Sequence, residues 1–280
     1  MKKVKVKIPA KINLTLDILG VKDGYHVLES LVASIDLFDT VVAKKRSDSK
    51  INLKFRGIPV GINSEKSNAY RAAEKFIKEF STTGADITVK RDIPAAAGLG
   101  GSSADIAGVL NAMKELYCVD GDVTEIANSL GSDVAYMLKG GYAVIKNRGE
   151  IVERLDGIKN VFYLLIVTGT EGVSTAESYK TYDKLSVKHE MQTPVAVDNL
   201  IKGDKGGFLT ALSNDLYEGS ALLLPEIKET VTRLSEFGSA VMTGSGSAVY
   251  GIYKTEEERD RVYKALRREY GKRLIKAKTL

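Results

Sequence analysis

The chain has 280 residues, of which 44% are hydrophobic and 28% charged, a composition typical of folded globular proteins and not of disordered ones. The single cysteine, Cys118, excludes an intramolecular disulfide, and no segment reaches the ~20 apolar residues of a membrane span. The net charge of +5 is spread along the chain without an RNA-binding or zinc-binding motif, so nucleic acid is not an expected partner.

Apolar and polar residues alternate after a basic start at the N-terminus, which predicts a strand and not a signal peptide. We therefore expect a cytoplasmic protein. The strands predicted in chain order lie at residues 3–8, 12–19, 40–45, 51–55, 87–90, 161–167, 240–242 and 248–253. The predicted helices, which carry apolar residues at helical spacing, lie at residues 67–80, 102–117, 123–130, 175–185, 225–237 and 255–270.

The second half of the chain begins after a predicted boundary near residues 154–160. This boundary gives an N-terminal domain of residues 1–157 and a C-terminal domain of residues 158–280. The polar segment 187–205 carries mixed turn signals and is predicted to be a surface loop. Because strands and helices do not alternate strictly, the pattern favours an α+β fold over a doubly wound sheet.

A glycine- and serine-rich turn lies between the predicted strand 87–90 and the predicted helix 102–117. The start of a helix offers free backbone N–H groups and a positive dipole end to a phosphate, and glycines allow a close approach. Ser102 or Ser103 could cap the helix and donate to phosphate. The alternative is a plain strand-to-helix turn with a serine cap. The segment consists of Pro94, Ala95, Ala96, Ala97, Gly98, Leu99, Gly100, Gly101, Ser102, Ser103 and Ala104.

This turn has no lysine after its glycines, so it is not a Walker A loop. Its form, Pro-x-x-x-Gly-Leu-Gly-x-Ser-Ser-Ala, resembles the phosphate loop of the GHMP kinase superfamily. Residues 9–14 and 242–248 resemble the N-terminal and C-terminal motifs of the same superfamily. The resemblance implies the GHMP kinase fold, with an ATP-binding N-terminal domain like the second domain of ribosomal protein S5 and a ferredoxin-like C-terminal domain. It also implies ATP as co-substrate, with Mg²⁺.

Further motifs narrow the resemblance within the superfamily. The Asp-Gly-Tyr-His segment that ends at Tyr25 and His26, the Gly-Ser-Asp-Val segment around Asp133, and Lys11 resemble one family of kinases. Those kinases phosphorylate the 2-hydroxyl of a cytidine-diphosphate sugar alcohol, 4-diphosphocytidyl-2-C-methyl-D-erythritol, in non-mevalonate isoprenoid synthesis. The resemblance implies that Tyr25 and His26 recognise the cytosine and that Lys11 and Asp133 form the catalytic pair.

The chemistry of these residues agrees with the implied roles. A tyrosine can stack on a base, and a histidine can form hydrogen bonds with its edge. A carboxylate can accept the proton of an acceptor hydroxyl while a nearby cation stabilises charge on the transferring group. The alternatives are a turn histidine bound to a backbone carbonyl for His26, a helix cap for Asp133 and an exposed strand charge for Lys11.

Other site residues carry weaker signals. By the same resemblance Asn68 lies near the adenine pocket, although it could equally cap a helix. Tyr179 resembles the aromatic residue of the family that covers the cytosine. The alternative is that Tyr179 is a residue of the hydrophobic core. Asn13 and Lys146 are candidates for the substrate side.

The chain departs from the family pattern at three places. Ser102 replaces the third glycine of the phosphate loop, Ala135 replaces a proline after the catalytic aspartate, and Asn147 replaces the first glycine of a Gly-x-Gly-Glu segment. These departures leave open a GHMP kinase for another alcohol, such as mevalonate or homoserine. A non-catalytic nucleotide-binding regulator is the second alternative.

Overall fold

The computed structural model describes residues 2–59, 61, 63–185 and 190–280. Contacts between Cα atoms divide the chain into two units that alternate along the sequence. Unit 1 comprises Met1–Ala10, Leu37–Ala95 and Gly100–Gly140, and unit 2 comprises Lys11–Asp36, Ala96–Leu99 and Gly141–Leu280. The boundary between residues 157 and 158 stays a prediction.

Two long strands contribute to both units: β1 spans Lys3–Asn13 and β3 spans Tyr25–Lys45. The other elements of unit 1 are β4 at Asn52–Gly57, a 3-10 turn at Ser64–Lys66, α1 at Asn68–Phe80, β5 at Ala85–Arg91, α2 at Gly101–Tyr117, α3 at Thr124–Asn128 and α4 at Val134–Met137. The second half of β3 pairs antiparallel with β5, and β5 pairs parallel with β4. Helix α1 lies against α2 and buries Phe76 on its inner face.

Unit 2 contains two sets of strands. Its strands are β2 at Asp17–Lys22, β6 at Tyr142–Asn147, β7 at Ile151–Arg154, β8 at Tyr163–Val167, β9 at Ser239–Met242, β10 at Val249–Tyr253 and β11 at Leu274–Lys278. The first half of β3 pairs antiparallel with β2 and with β6, and β6 pairs with β7. A second, antiparallel sheet has the strand order β11-β8-β10-β9.

Helices complete unit 2 and bury a core against the second sheet, which includes Leu165, Leu234 and Leu266. These helices are α5 at Thr175–Leu185, α6 at Thr193–Lys202, α7 at Lys205–Thr210, α8 at Tyr217–Leu223, α9 at Glu226–Ser235 and α10 at Glu256–Tyr270, followed by a 3-10 turn at Gly271–Arg273. The mixed content confirms the predicted α+β class. Within the described ranges, no helix is long and apolar enough to cross a membrane.

The predicted loop 187–205 is wrong over most of its length. Residues 187–189 lie outside the described residues, but Thr193–Lys202 form the helix α6. The carboxylate of Asp17 accepts hydrogen bonds from the backbone N–H groups of Gln192 and Thr193 at the start of this helix. The stabilising group therefore comes from a distant part of the chain, and the local sequence gives no sign of it.

The predicted strand 12–19 is wrong as a continuous element, because β1 ends at Asn13 and β2 begins at Asp17. The predicted strand 40–45 is only the last part of β3. Residues 30–35 of β3 are all buried, so they lack the apolar-polar alternation that identified the end of the strand.

Candidate active site

Helix α2 of unit 1 begins without a side-chain cap. Its N-cap residue, Gly100, has a left-handed backbone (φ 76°, ψ 18°). Ala104 N–H donates to Gly100 O at 2.8 Å, which leaves the N–H groups of Gly101, Ser102 and Ser103 without an intrahelical acceptor. The predicted serine cap is therefore wrong, because both serines lie inside the first turn. The uncapped N–H groups and the helix dipole fit an anionic phosphate.

The turn that carries Asp133 lies near this helix start in the same unit. A Cβ atom built at Gly131 would lie 3.9 Å from Ser103 Oγ. Asn68 Nδ2 donates a hydrogen bond of 3.3 Å to Leu130 O. Asp133 occupies the N-cap position of α4, but its side chain makes no cap hydrogen bond, so a capping role does not explain the residue. Unit 1 thus brings together the helix start, Asn68 and the turn with the predicted catalytic carboxylate.

Asn68 is not a helix cap. Ser67 is the N-cap residue of α1, and its Oγ accepts a hydrogen bond of 3.1 Å from Tyr70 N–H. The amide of Asn68 instead contacts the segment before Asp133 through Leu130. A contact between Asn68 and adenine stays a prediction.

Lys11 of unit 2 is buried, with 5% of its surface exposed, so the reading as an exposed strand charge is wrong. Lys11 Nζ donates a hydrogen bond of 2.6 Å to Asn13 Oδ1. Asn13 Nδ2 donates to Ser30 Oγ at 2.8 Å, and Gly244 N–H donates to Asn13 Oδ1 at 3.0 Å. Both polar atoms of the Asn13 amide thus have protein partners and fix the position of the ammonium group. The substrate-side role of Asn13 stays a prediction.

The middle of the glycine-rich turn, residues 96–99, also lies in unit 2. Lys11 N–H donates to Leu99 O at 3.0 Å, and Thr243 Oγ1 donates to Gly98 O at 3.3 Å. Gly98 has a φ of 75°, and a Cβ atom there would lie 2.1 Å from Thr243 O. Only glycine fits this position. The C-terminal glycine-rich motif therefore holds the glycine-rich turn next to the backbone of Lys11.

Tyr25 is the first residue of β3, directly after the turn that joins β2 to β3. Asp23 and Gly24 form this turn with φ angles of 52° and 78°, the two positive values that a tight hairpin turn requires. The Tyr25 side chain is exposed, and the guanidinium carbon of Arg148 lies 3.6 Å from its ring centroid. The hairpin thus presents an aromatic face on which a planar cation already stacks.

His26 belongs to a cluster with helix α5. Its ring stacks on Tyr179 with centroids 4.5 Å apart and an interplanar angle of 23°. His26 Nε2 lies 2.7 Å from Asp183 Oδ1, so its partner is a carboxylate and not the backbone carbonyl of the alternative reading. Because an ionised carboxylate only accepts hydrogen bonds, Nε2 carries the proton in this pair.

The sequence interpretation missed Asp183 and Arg148. Asp183 lies four residues after Tyr179, so the two side chains share one face of α5, and this spacing is the signal that would have found it. Arg148 lies in the segment that departs from the family pattern and has no comparable signal.

Lys146 lies on β6 opposite Glu29 of β3. Its Nζ is 2.7 Å from Glu153 Oε2, and this hydrogen bond raises the pKa of Lys146. The side chain is partly exposed, so its cation remains accessible to a ligand. A substrate contact of Lys146 stays a prediction.

Comparison with known protein families gives the class of the protein. The model of the GHMP kinases N terminal domain matches residues 67–143, and the model named GHMP kinases C terminal matches residues 196–272. The chain belongs to the GHMP kinase family. It is an ATP-dependent kinase, with ATP as co-substrate and a small molecule as acceptor.

Curated relatives resemble nearly the whole chain. The 4-diphosphocytidyl-2-C-methyl-D-erythritol kinase of Alkaliphilus metalliredigens is 36% identical over 262 residues, which cover 91% of this chain and 89% of the relative. The enzyme of the same name from Moorella thermoacetica is 36% identical and covers 95% of each chain.

Solved structures agree with the predicted fold. A crystal structure of 4-(cytidine 5'-diphospho)-2C-methyl-D-erythritol kinase matches with a TM-score of 0.82 and 30% identity over 99% of each chain. Homoserine kinase from Cytophaga hutchinsonii matches with a TM-score of 0.76 at 17% identity, covering 100% of this chain and 95% of that chain, which shows a shared fold alone. The predicted resemblance to GHMP kinases is confirmed.

Proposed function

We propose that this kinase transfers the γ-phosphoryl group of ATP to the 2-hydroxyl of 4-diphosphocytidyl-2-C-methyl-D-erythritol. The observation that carries the proposal is the aromatic site of unit 2, which presents the exposed ring of Tyr25 and the stacked pair of His26 and Tyr179. Relatives at 36% identity that bear the name of this kinase support the same acceptor. Acceptors without a nucleobase, such as mevalonate or homoserine, would give these rings no role.

The cytosine is proposed to stack on Tyr25 in the position that Arg148 occupies in the structure. A guanidinium group is planar, and at 3.6 Å it occupies the face on which a base would stack. Base binding would displace Arg148, whose cation could then contact the diphosphate of the acceptor. Lys146 would contribute a second cation on this side.

The base edge is proposed to meet the ring of His26. Because Asp183 accepts from Nε2, the neutral ring presents Nδ1 as an acceptor, and the exocyclic amino group of cytosine is a donor. Uracil has a carbonyl oxygen at the same place and would face this acceptor with a lone pair. Tyr179 would support the ring of His26 from below.

The chemical step is assigned to Lys11 and Asp133. The carboxylate of Asp133 would orient the acceptor hydroxyl and accept its proton, which is the base role in phosphoryl transfer. The ammonium of Lys11, positioned by Asn13, would stabilise negative charge on the transferring group. The N–H groups at the start of α2 would bind the phosphates of ATP, and Asn68 would lie near the adenine.

Mg²⁺ is proposed as the metal of the reaction. Among the described residues, no group of three His, Cys, Asp or Glu side chains could hold a metal ion alone. Mg²⁺ keeps several waters and commonly binds through substrate phosphates, so this donor set fits an ion that arrives on ATP. The phosphate oxygens and water would hold it, and it would neutralise part of the phosphate charge.

We expect His26→Ala to raise KM for the cytidyl acceptor roughly tenfold or more, with KM for ATP within about twofold, because of the two substrates only the acceptor would contact the ring, through its base. Tyr25→Ala is expected to act in the same direction through lost stacking, worth ~1–3 kcal/mol per base. Steady-state kinetics with each substrate varied in turn measures KM for the acceptor and KM for ATP separately.

The matched control is Val21→Ala, which truncates an exposed side chain directly opposite His26 on the same hairpin. It is expected to leave both KM values near those of the unmodified enzyme. Equal rises in the two KM values for His26→Ala would show that the hairpin is structural and would contradict its assignment to the cytosine.

A further inference from the structure

Unit 1 contains a buried cluster of charges that the proposed chemistry does not use. Asp39 of β3, Arg91 of β5 and Asp105 of α2 each expose 5% or less of their surface. Arg91 Nε lies 3.0 Å from Asp105 Oδ2, which makes a buried ion pair. Two carboxylates and one guanidinium group in a buried site are costly unless each charge is compensated.

The cluster lies at both ends of the glycine-rich turn. Arg91 is the last residue of β5, separated by two residues from the start of the turn at Pro94, and Asp105 lies one helical turn after the start of α2. Their ion pair therefore joins the segment that enters the turn to the segment that leaves it. The turn between them carries the backbone groups assigned to the ATP phosphates.

Asp39 also fixes the segment that leads into the glycine-rich turn, in addition to the ion pair of Arg91. Its Oδ1 accepts hydrogen bonds from the N–H groups of Asp92 and Ile93, at 2.7 and 2.8 Å. The Ile93 side chain packs at the start of α2, where a Cβ atom added to Gly101 would lie 3.3 Å from Ile93 Cγ2. A change at Asp39 or Arg91 would thus reach the first residue of the phosphate-binding helix.

The two carboxyl groups are not satisfied by hydrogen bonds when both are ionised. Asp39 Oδ2 and Asp105 Oδ1 are buried and have no hydrogen-bond partner among the residues that the structure describes. Arg91 Nε also makes no hydrogen bond there, although it lies 3.0 Å from Asp105 Oδ2. A proton on one carboxyl would supply a donor to the other and would reduce the cluster to one negative and one positive charge.

We propose that Asp39, Arg91 and Asp105 are positioning residues for the ATP phosphates, and that a proton shared by the two carboxyls keeps the cluster neutral beneath the phosphate-binding turn. Loss of this proton would place a net negative charge next to the binding site of a polyanion. These positioning roles rest on the ATP site of the proposed function and are independent of the identity of the acceptor.

The raised pKa of Asp105 lies in a pH range in which nucleotide binding can be measured. Burial raises the pKa of Asp105 to about 7 from the usual 3.8, Asp39 adds to the rise, and Arg91 opposes it. Burial also raises the pKa of Asp39, against the backbone hydrogen bonds and the charge of Arg91, while Asp92 adds a small rise. The charged groups that act on the two carboxyls therefore lie on β3, on β5, at the residue directly after β5 and on α2.

The direction of the pH effect follows from these shifts. The folded protein holds a proton that the unfolded chain releases near pH 4, so the stability that this proton contributes is lost as the pH rises through about 7. The affinity for the ATP phosphates is expected to fall over the same range, because the cluster then gains negative charge.

The test is the pH dependence of nucleotide binding. The Kd of a non-hydrolysable ATP analogue with Mg²⁺ is measured by calorimetry between pH 6 and 8.5. We expect the Kd of the unmodified enzyme to rise roughly threefold to tenfold across this range, and the Kd of Asp105→Asn to stay flat. The titration of the ligand itself is common to both proteins and cancels in the comparison.

The matched control is Asp86→Asn, which removes a carboxylate of β5 that pairs with Arg46 away from the turn. This variant is expected to keep the pH dependence of the unmodified enzyme. A Kd profile of Asp105→Asn parallel to that of the unmodified enzyme would overturn the proposal, since a purely structural role does not alter the shape of the profile.

Arg91→Lys gives a second test that does not depend on Asp105→Asn folding. It keeps the positive charge and removes the rigid guanidinium fork. We expect KM for ATP to rise roughly threefold to tenfold with KM for the acceptor unchanged. An equal rise in both KM values, or no rise in either, would count against positioning of the phosphates.

Discussion

Replacement of Asp133 by asparagine is expected to reduce kcat by about 10²–10⁴, the usual range for a positioned general base. The substitution keeps the size of the side chain and removes the negative charge and the proton acceptor. Because Asp133 makes no cap hydrogen bond at α4, the fold does not depend on its carboxylate in that role. Steady-state kinetics at saturating substrates measures kcat, and calorimetry with ADP measures nucleotide binding, which is expected to stay within about twofold.

The control for Asp133→Asn is Asp120→Asn, which removes an exposed carboxylate after α2 in the same unit. This variant is expected to retain full turnover. Near-normal kcat for Asp133→Asn would mean that another group accepts the hydroxyl proton. Phosphoryl transfer depends strongly on positioning, so an effect near the lower end of the range is compatible with the assigned role.

Replacement of Lys11 by methionine is expected to lower kcat by about 10²–10³, the range found when one donor to developing charge is removed. Methionine is apolar and of similar length, so it removes the cost of burying an ammonium group. Asn13 Oδ1 still accepts from Gly244 N–H, so this buried oxygen keeps a donor in the variant. The thermal midpoint is therefore expected to stay the same or rise while turnover falls.

Lys5→Met is the control for Lys11→Met, because it removes an exposed lysine from the same strand, β1. If Lys11 and Asp133 act as one unit, the double variant is expected to be little worse than the worse single variant. Fully multiplicative losses would show that the two residues act independently. A Lys11→Met enzyme that lost both stability and activity together would point to a structural role.

The local turns of the candidate site could be predicted where a short segment carries both the turn residues and the residues with a proposed chemical role. The Asp23-Gly24 pair forms the hairpin turn that presents Tyr25, and the glycines around Gly98 form the turn before α2. Positive φ angles favour glycine and allow aspartate, so these turns can be recognised from the residue types in the sequence. Helices with a clear apolar face, such as α1 and α2, were predicted within one residue of their bounds.

Partners that lie far apart in the chain could not be predicted. The cap of α6 comes from Asp17, and the partner of His26 is Asp183. The buried part of β3 lacks an alternation of apolar and polar residues because both of its faces are covered, so the pattern did not identify it as a strand. The cluster of Asp39, Arg91 and Asp105 joins three elements whose proximity only the fold establishes.

The central claim is tested most directly by one phosphoryl-transfer assay. The purified chain is incubated with ATP, Mg²⁺ and, in separate reactions, 4-diphosphocytidyl-2-C-methyl-D-erythritol, mevalonate and homoserine, and ³¹P NMR identifies the product. We expect a new phosphomonoester on the 2-hydroxyl of the cytidyl acceptor, with kcat/KM at least about 10³-fold above that for either other alcohol, because only this acceptor has a base for the proposed contacts with Tyr25 and His26. Turnover of mevalonate or homoserine without turnover of the cytidyl acceptor would contradict the proposed function.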